Sequence, residues 1–138
     1  MQADPVEDTT PAPPGDELHT RKFQRELSAG LTALVLLAVL EQAEADLYGY
    51  EIARRLAGGT EAAGPFKLGA LYPVLRNLSA AGLLSSRVVP SYAGPPRRYY
   101  RITPLGRDAL AAWRRTWSTT RDFVDAALRP VPAEEKPS

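Results

Sequence analysis

Three helical patterns run directly into a β-hairpin in this sequence, and that order constrains the fold more than any other feature. The hairpin consists of two β-prone runs, residues 83–89 and 97–103. The Pro- and Gly-containing segment 90–96 between them is typical of a long hairpin tip. Thr103 and Pro104 then predict a new helix, because Thr is favoured at the N-cap and Pro at the first helical position.

The apolar residues of the helical segments predict which of them are buried. The predicted helices span residues 20–44, 47–57, 68–81 and 104–128. The first is apolar nearly all round its middle, which predicts a central position in the core. The third has Leu71, Leu75 and Leu78 on one side and ends at Gly82.

This order of elements predicts a mainly α protein of the α+β type, a winged helix-turn-helix with a long C-terminal dimerisation helix. In such a fold the third helix enters the major groove of DNA. We expect a disordered acidic tail over residues 1–19 and a winged-helix DNA-binding domain over 20–103. The dimerisation helix follows over 104–128, and residues 129–138 form a second disordered tail.

The composition excludes several classes of site. There is no cysteine, so disulfides, thiolate metal sites and cysteine nucleophiles are excluded, and we expect no metal and no cofactor. The absence of cysteine fits the cytoplasm, where we expect the protein to act. Residues 21–40 resemble a secretory signal, with basic residues before an apolar run. The run lies far from Met1 and is shorter than the roughly 20 residues of a membrane span, so we interpret it as a core helix and expect no membrane association.

The charges are strongly segregated although the net charge is only +1. Between Ala62 and Arg107 there is no Asp or Glu. A local basic region inside a near-neutral protein favours a polyanionic partner, here double-stranded DNA, although clustering on a solvated surface is the alternative. The cations of this acid-free stretch are Lys67, Arg76, Arg87, Arg97, Arg98, Arg101 and Arg107.

The exposed side of the third helix is the predicted reading surface. Arg76 and Asn77 have the chemistry to bind guanine and adenine edges, and Tyr72 to bind a phosphate or a thymine methyl. Lys67 precedes the helix as a phosphate contact. The alternative is that Tyr72 is a half-buried packing residue and Arg76 an ordinary surface charge. The predicted exposed residues are Gly69, Ala70, Tyr72, Pro73, Arg76 and Asn77.

The second strand of the hairpin carries the other predicted contacts. Because side chains alternate along a strand, Arg97, Tyr99 and Arg101 point one way and Arg98 and Tyr100 the other. We expect Tyr100 to pack on the core. Arg97 and Arg98 then lie where they can reach phosphates or a narrow minor groove, unless they form only a charged, solvated tip.

The chain resembles the PadR family of bacterial transcriptional regulators over residues 26–128. The resemblance implies a winged helix, a C-terminal helix used for dimerisation, and repression relieved by a small aromatic or hydrophobic ligand. It places Tyr48, Tyr72 and the hairpin's Arg98-Tyr99-Tyr100 on motif positions, which makes Tyr48, Tyr72 and Tyr99 predicted DNA-binding residues, and it places Ala70 where the family usually has Thr. Four motifs carry it: Tyr48-Gly49-Tyr50-Glu51-Ile52, Gly69-Ala70-Leu71-Tyr72-Pro73-Val74-Leu75, Gly82-Leu83-Leu84, and Arg98-Tyr99-Tyr100-Arg101-Ile102-Thr103-Pro104-Leu105-Gly106.

A heptad pattern on the last helix predicts a homodimer. Apolar residues recur there at spacings of three and four, which suits helix–helix association. A single C-terminal helix is typical of the compact branch of the family. A twofold dimer would place two third helices about 34 Å apart, which predicts an inverted-repeat operator. The predicted dimerisation residues are Leu110, Trp113, Trp117, Val124 and Leu128.

Trp113 and Trp117 lie one turn apart on that helix. By the resemblance, both line a cavity for an aromatic or hydrophobic effector, with Trp117 the better candidate for stacking. Two tryptophans in a dry interface are the alternative.

Two other functional classes fit the sequence less well. An enzyme is not expected, because the single histidine, His19, lies in the predicted tail and no nucleotide-binding or nucleophile motif is present. A winged-helix protein-interaction module without direct DNA binding remains the alternative. Such a module would not require a stretch without acidic residues, and any affinity for DNA that it showed would not fall steeply with salt.

Overall fold

The structure, a computed structural model, describes residues 14–57 and 68–131 and confirms the predicted winged-helix architecture. Lys67 and most of both predicted tails lie outside the described residues. The helices are α1 (Pro14–Gln42), α2 (Gly49–Leu56), α3 (Leu68–Ala80) and α4 (Pro104–Leu128), and the strands are β1 (Leu47–Tyr48), β2 (Leu84–Val89) and β3 (Arg97–Ile102).

Helix α1 begins at Pro14 and not near Thr20, so the prediction of a disordered tail is wrong for residues 14–19. Proline is favoured as the first helical residue, where the missing N–H needs no partner. Asp16 and Glu17 lie in the first turn, where carboxylates interact favourably with the helix dipole. Residues 15–27 are all exposed, so this part of α1 extends beyond the core.

The second half of α1 is the central core helix that the sequence predicted. Leu36 and Leu37 are completely buried and Leu40 nearly so. By length and composition alone, residues 15–42 are apolar enough to cross a membrane. The second half of this segment packs against α2, α3 and β3.

The sheet has three antiparallel strands in the order β1-β3-β2, one more than the predicted hairpin. Leu47 pairs with Tyr100 and Leu84 with Ile102, and all four side chains are buried in the core. Strand β1 occupies residues predicted to begin the second helix. That helix starts at Gly49, because the Tyr48 N–H donates to the Glu51 carboxylate (3.0 Å) and caps it.

The end of α3 follows the predicted glycine stop. Gly82 has a φ of 83°, a left-handed conformation that glycine adopts readily. The Gly82 N–H donates to the Ser79 carbonyl and the Leu83 N–H to the Leu78 carbonyl (3.0 and 2.9 Å), which is a Schellman motif. Pro73 is the sixth residue of α3 and has no N–H, so the Gly69 carbonyl lacks its usual partner.

Helix α4 starts as predicted and then leaves the core. The Thr103 hydroxyl accepts from the Gly106 N–H (3.0 Å), and Pro104 is the first helical residue. Gly106 packs so tightly that a Cβ there would collide with the Leu83 carbonyl oxygen. Leu110 is 1% exposed, in the core of its own chain, so the prediction that it takes part in dimerisation is wrong. From Arg114 onwards every described residue is exposed.

Candidate nucleic-acid interface

Helix α3 has one buried and one exposed side, as its sequence predicts. Leu71, Leu75 and Leu78 are buried against α1, α2 and the sheet. The opposite side carries two small residues in the first turn, then an aromatic ring. Two side chains with the chemistry to bind base edges follow. All six of the residues predicted there are exposed: Gly69, Ala70, Tyr72, Pro73, Arg76 and Asn77.

The ring of Tyr72 packs over the start of α2. A Cβ built on Gly49 would lie 2.8 Å from both Cε1 and the hydroxyl oxygen of Tyr72. The side chain is nevertheless 40% exposed. Tyr72 is therefore a packing residue on one side and an available contact on the other, and the absence of a side chain at Gly49 sets its position.

One face of the hairpin continues this surface. Arg98 and Tyr100 lie on the side of β3 that faces the core, and the Arg98 Nη1 donates to the Ser86 hydroxyl (3.0 Å). Burial raises the pKa of the Tyr100 phenol, and the Arg98 and Arg76 guanidiniums oppose this shift. Both cations are thus close enough to interact with the same buried phenol. Because α3 packs against β2 and Arg98 lies on the core-facing side of the hairpin, we group Arg98 with Arg76 and the other exposed residues of α3 as the reading face.

The opposite face of the sheet, here called the outer face, holds the other predicted contacts. The Arg97 guanidinium lies 4.5 Å from the centre of the Tyr48 ring, and the Tyr48 and Tyr99 rings are 5.4 Å apart. Cation–π contacts of this kind hold a guanidinium in place. The alternation predicted for β3 is confirmed, but it separates Tyr48, Arg97 and Tyr99 from Arg98.

Two further cations of the outer face are paired with an acid. The Arg101 and Arg87 Nε atoms lie 2.7 and 3.0 Å from the two carboxylate oxygens of Asp46. Asp46 precedes β1, outside the acid-free stretch, and reaches these strands because β1 pairs with β3. Arg101 first, and then Arg87, hold the pKa of Asp46 below its ordinary value, against the effect of burial.

A groove of about 490 Å³ lies between α1 and α4. Its apolar walls include Leu27, Leu31 and Leu34 of α1, and Trp113 and Trp117 of α4. Trp113 is half-buried and packs on the core, whereas Trp117 is 37% exposed. Within residues 14–57 and 68–131, no three His, Asp or Glu side chains come together as a metal site would require.

Comparison with known proteins identifies the family of the chain. Residues 36–112 match the transcriptional regulator PadR-like family. The chain belongs to this family. A PadR-like regulator is a transcription factor and not an enzyme, so both predictions are confirmed, and membership implies regulation through DNA binding.

Relatives of this PadR-like chain support the assignment. "Transcriptional regulator Rv3488" of Mycobacterium tuberculosis is 40% identical over 98 residues, which cover 69% of this chain and 79% of the relative. A PadR family structure from Eggerthella lenta is 29% identical with a TM-score of 0.65, covering 85% of this chain and 96% of that one. A PadR family structure from Clostridium difficile is 26% identical with a TM-score of 0.58, covering 72% and 99%.

Sequence reasoning missed Asp46 in this PadR-like regulator. The stretch from Ala62 to Arg107 lacks acids in the sequence, but Asp46 lies beside two of its arginines in space. Nothing near Asp46 in the sequence signals this contact, because it depends on pairing between strands about 50 residues apart.

Proposed function

We propose that this PadR-like regulator is a cytoplasmic repressor that binds an inverted-repeat operator as a homodimer. One observation carries the proposal. Arg76 and Arg98 belong to one exposed face with the first turns of α3, and within the described residues neither forms an ion pair with an acid. Unpaired cations beside an exposed helix surface favour DNA phosphates and base edges.

The residues of the reading face suit different parts of DNA. Arg76 and Asn77 are proposed to read guanine and adenine in the major groove. Gly69 and Ala70 let the backbone of α3 approach a phosphate closely, and the helix dipole favours that anion. Arg98 is proposed to bind a phosphate beside the groove. Lys67, next to α3 in the sequence, stays a proposed phosphate contact.

A selected DNA site tests these roles. The full chain is used to select its site from a random duplex library, and binding is measured by fluorescence anisotropy at several salt concentrations. Arg76→Ala is expected to cost about 1–3 kcal/mol on the selected site and little on random duplex. Arg98→Ala is expected to weaken both and to lower the salt slope by about 0.9.

Arg129→Ala is the matched control, since this arginine is exposed at the far end of α4. It is expected to bind both duplexes as the wild type does. If Arg76→Ala and Arg98→Ala lost the same amount on both duplexes, the assigned roles would be wrong. If the wild type bound no duplex, the proposed function itself would be wrong.

The distal half of α4 supports dimerisation. Trp117 and Val124 lie on the apolar heptad positions and yet are 37% and 43% exposed, and Leu128, one residue after the next heptad position, is 75% exposed. Phe123 is 74% exposed on the same segment. A second copy of the chain is the proposed partner for this stripe, because the heptad spacing suits a like helix. With Leu110 in the core, the proposed seam consists of Trp113, Trp117, Val124 and Leu128.

The groove between α1 and α4 is the proposed effector site. Its apolar walls and the exposed Trp117 ring suit a planar aromatic or hydrophobic ligand that relieves repression. Titration with acridine is expected to quench tryptophan fluorescence in the wild type and in Trp113→Phe, but much less in Trp117→Phe. Saturating acridine is then expected to weaken operator binding. Unchanged fluorescence across a series of flat aromatic compounds would contradict this site.

A further inference from the structure

Two arginines of the outer face share one nearly buried carboxylate. Arg101 and Arg87 donate from their Nε atoms to separate oxygens of Asp46, at 2.7 and 3.0 Å. The side chain of Asp46 is only 9% exposed, whereas the arginine side chains are 68% and 61% exposed. The arginines therefore cover the carboxylate while their own cationic surfaces still face solvent.

The charges of the hairpin are consequently unequal on its two faces. On the reading face, Arg98 is bonded to a neutral hydroxyl and keeps its full charge. On the outer face, Asp46 offsets one of the two positive charges of Arg87 and Arg101, while Arg97 keeps its charge over the Tyr48 ring. Removal of Asp46 would add one more net positive charge to this face.

We propose that Asp46 is a specificity-determining residue that suppresses non-specific DNA binding by the outer face of the hairpin. This inference rests on the proposed DNA-binding function. Phosphates carry no sequence information, so each cation free to bind them adds affinity for any duplex. Lowering the charge of the outer face reduces the affinity that any duplex gains there, whereas the base-reading side chains of the reading face are unaffected. Arg101, and then Arg87, favour the charged form of Asp46 and lower its pKa.

Asp46→Asn tests the proposal in the full chain. We expect several-fold tighter binding to random duplex at low salt and a much smaller change on the selected operator, so that the ratio of the two affinities falls. The plot of log affinity for random duplex against log salt is expected to steepen by about 0.9 for each arginine that gains a phosphate. Asp46→Glu keeps the charge and is expected to behave as the wild type does.

Two further variants separate this role from a structural one. Asp122→Asn removes a carboxylate that is paired with Arg121 on α4, and it is expected to leave the salt slope unchanged. Adding Arg101→Gln to Asp46→Asn removes one of the two freed cations and is expected to lower the slope by about 0.9 relative to Asp46→Asn. A merely structural role of Asp46 would leave the slope of Asp46→Asn at the wild-type value, and a thermal melt checks that each variant is folded.

A single substitution tests the same idea if Asp46→Asn does not fold. Because Asp46 already offsets the charge of Arg101, Arg101→Gln is expected to weaken random-duplex binding less than Arg98→Gln does. Unchanged or weaker random-duplex binding by folded Asp46→Asn, or equal losses for the two arginine variants, would overturn the inference. A wild type that binds no duplex would instead contradict the proposed function.

Discussion

Individual side chains of the reading face depend on neighbours that touch no DNA. Gly49 lets the Tyr72 ring lie over the start of α2, and Ser86 holds the Arg98 guanidinium on the same side as α3. Such neighbours restrict the conformations of the contact residues in the absence of DNA. Less side-chain conformational entropy is then lost when DNA binds, and this favours affinity.

Gly49→Ala is predicted to weaken operator binding by displacing the Tyr72 ring. The added methyl would lie 2.8 Å from both Cε1 and the hydroxyl oxygen of Tyr72, which is closer than van der Waals contact, so the ring must move. We expect a loss of about tenfold, or about 1.4 kcal/mol, similar to that of Tyr72→Ala. In anisotropy titrations the double variant is expected to lose no more than either single one. Additive losses would show that Gly49 acts independently of Tyr72.

The ion pairs of Asp46 predict a pH dependence with a definite sign. Because the folded-state pKa of Asp46 is lowered, by Arg101 above all, the ionised carboxylate stabilises the fold. That stability is complete above the unfolded pKa of about 3.9 and is lost as pH falls through the folded value. In urea unfolding, the free-energy difference between wild type and Asp46→Asn is expected to be constant above about pH 5 and to shrink below about pH 4. A difference that grew on acidification would contradict this sign.

At the scale of elements, the hairpin and α4 are joined at one residue. The Thr103 hydroxyl accepts from the Gly106 N–H and donates to the Gly82 carbonyl at 2.7 Å. It therefore caps α4 and ties it to the turn after α3. A change at this residue affects the position of α4 relative to the DNA-binding elements.

Thr103→Ala is predicted to destabilise the protein by about 1 kcal/mol, the usual cost of losing an N-cap. Urea unfolding followed by circular dichroism measures the change. Thr103→Ser keeps the hydroxyl and is the matched control, with less than half of that loss expected. Equal losses for the two variants would assign the effect to the methyl group and not to the cap.

How far the sequence predicts these elements depends on whether their signals are local. Helix α4 and the hairpin have local signals, in Thr103-Pro104 and the Pro-rich tip, and the predicted bounds agree to within one residue. Strand β1 has only two residues and depends on pairing with β3, so no periodicity reveals it. The start of α1 was not predicted because residues 1–19 have the Pro- and acid-rich composition of a disordered tail. Pro14 is favourable as the first residue of a helix, but this single signal was given less weight.

The candidate site was predictable to a similar extent. Leucine spacing correctly predicted the exposed side of α3, and strand alternation the two faces of β3. Neither pattern could reveal that Asp46 pairs with Arg87 and Arg101, or that Leu110 is buried, since both facts depend on how distant elements pack.

At the scale of the whole molecule, two helices extend beyond the winged-helix core. The first half of α1 is exposed at residues 15–27, and α4 is exposed from Arg114 onwards. The groove containing Trp117 lies between these helices. A dimer formed along α4 would therefore place the proposed effector site close to the proposed interface between the two protomers.

Val124→Asp is predicted to convert the dimer to a monomer, because it puts a charge into the proposed apolar seam. Analytical ultracentrifugation measures the mass, and operator affinity is expected to fall by at least tenfold when the two reading faces are separated. Thr119→Asp adds the same charge on the other side of α4 and is expected to leave the dimer intact. A Val124→Asp variant with the mass and operator affinity of the wild type would argue against this seam.

Hydroxyl-radical footprinting of the selected operator with the full chain tests the central claim most directly. Two α3 helices related by a twofold axis are expected to protect two patches of the same shape, centred about 34 Å apart along the duplex, and a palindromic sequence is expected within them. Arg76→Ala should lose both patches together at limiting protein concentration. One asymmetric patch from a bound monomer, or protection unchanged in Arg76→Ala, would contradict the account.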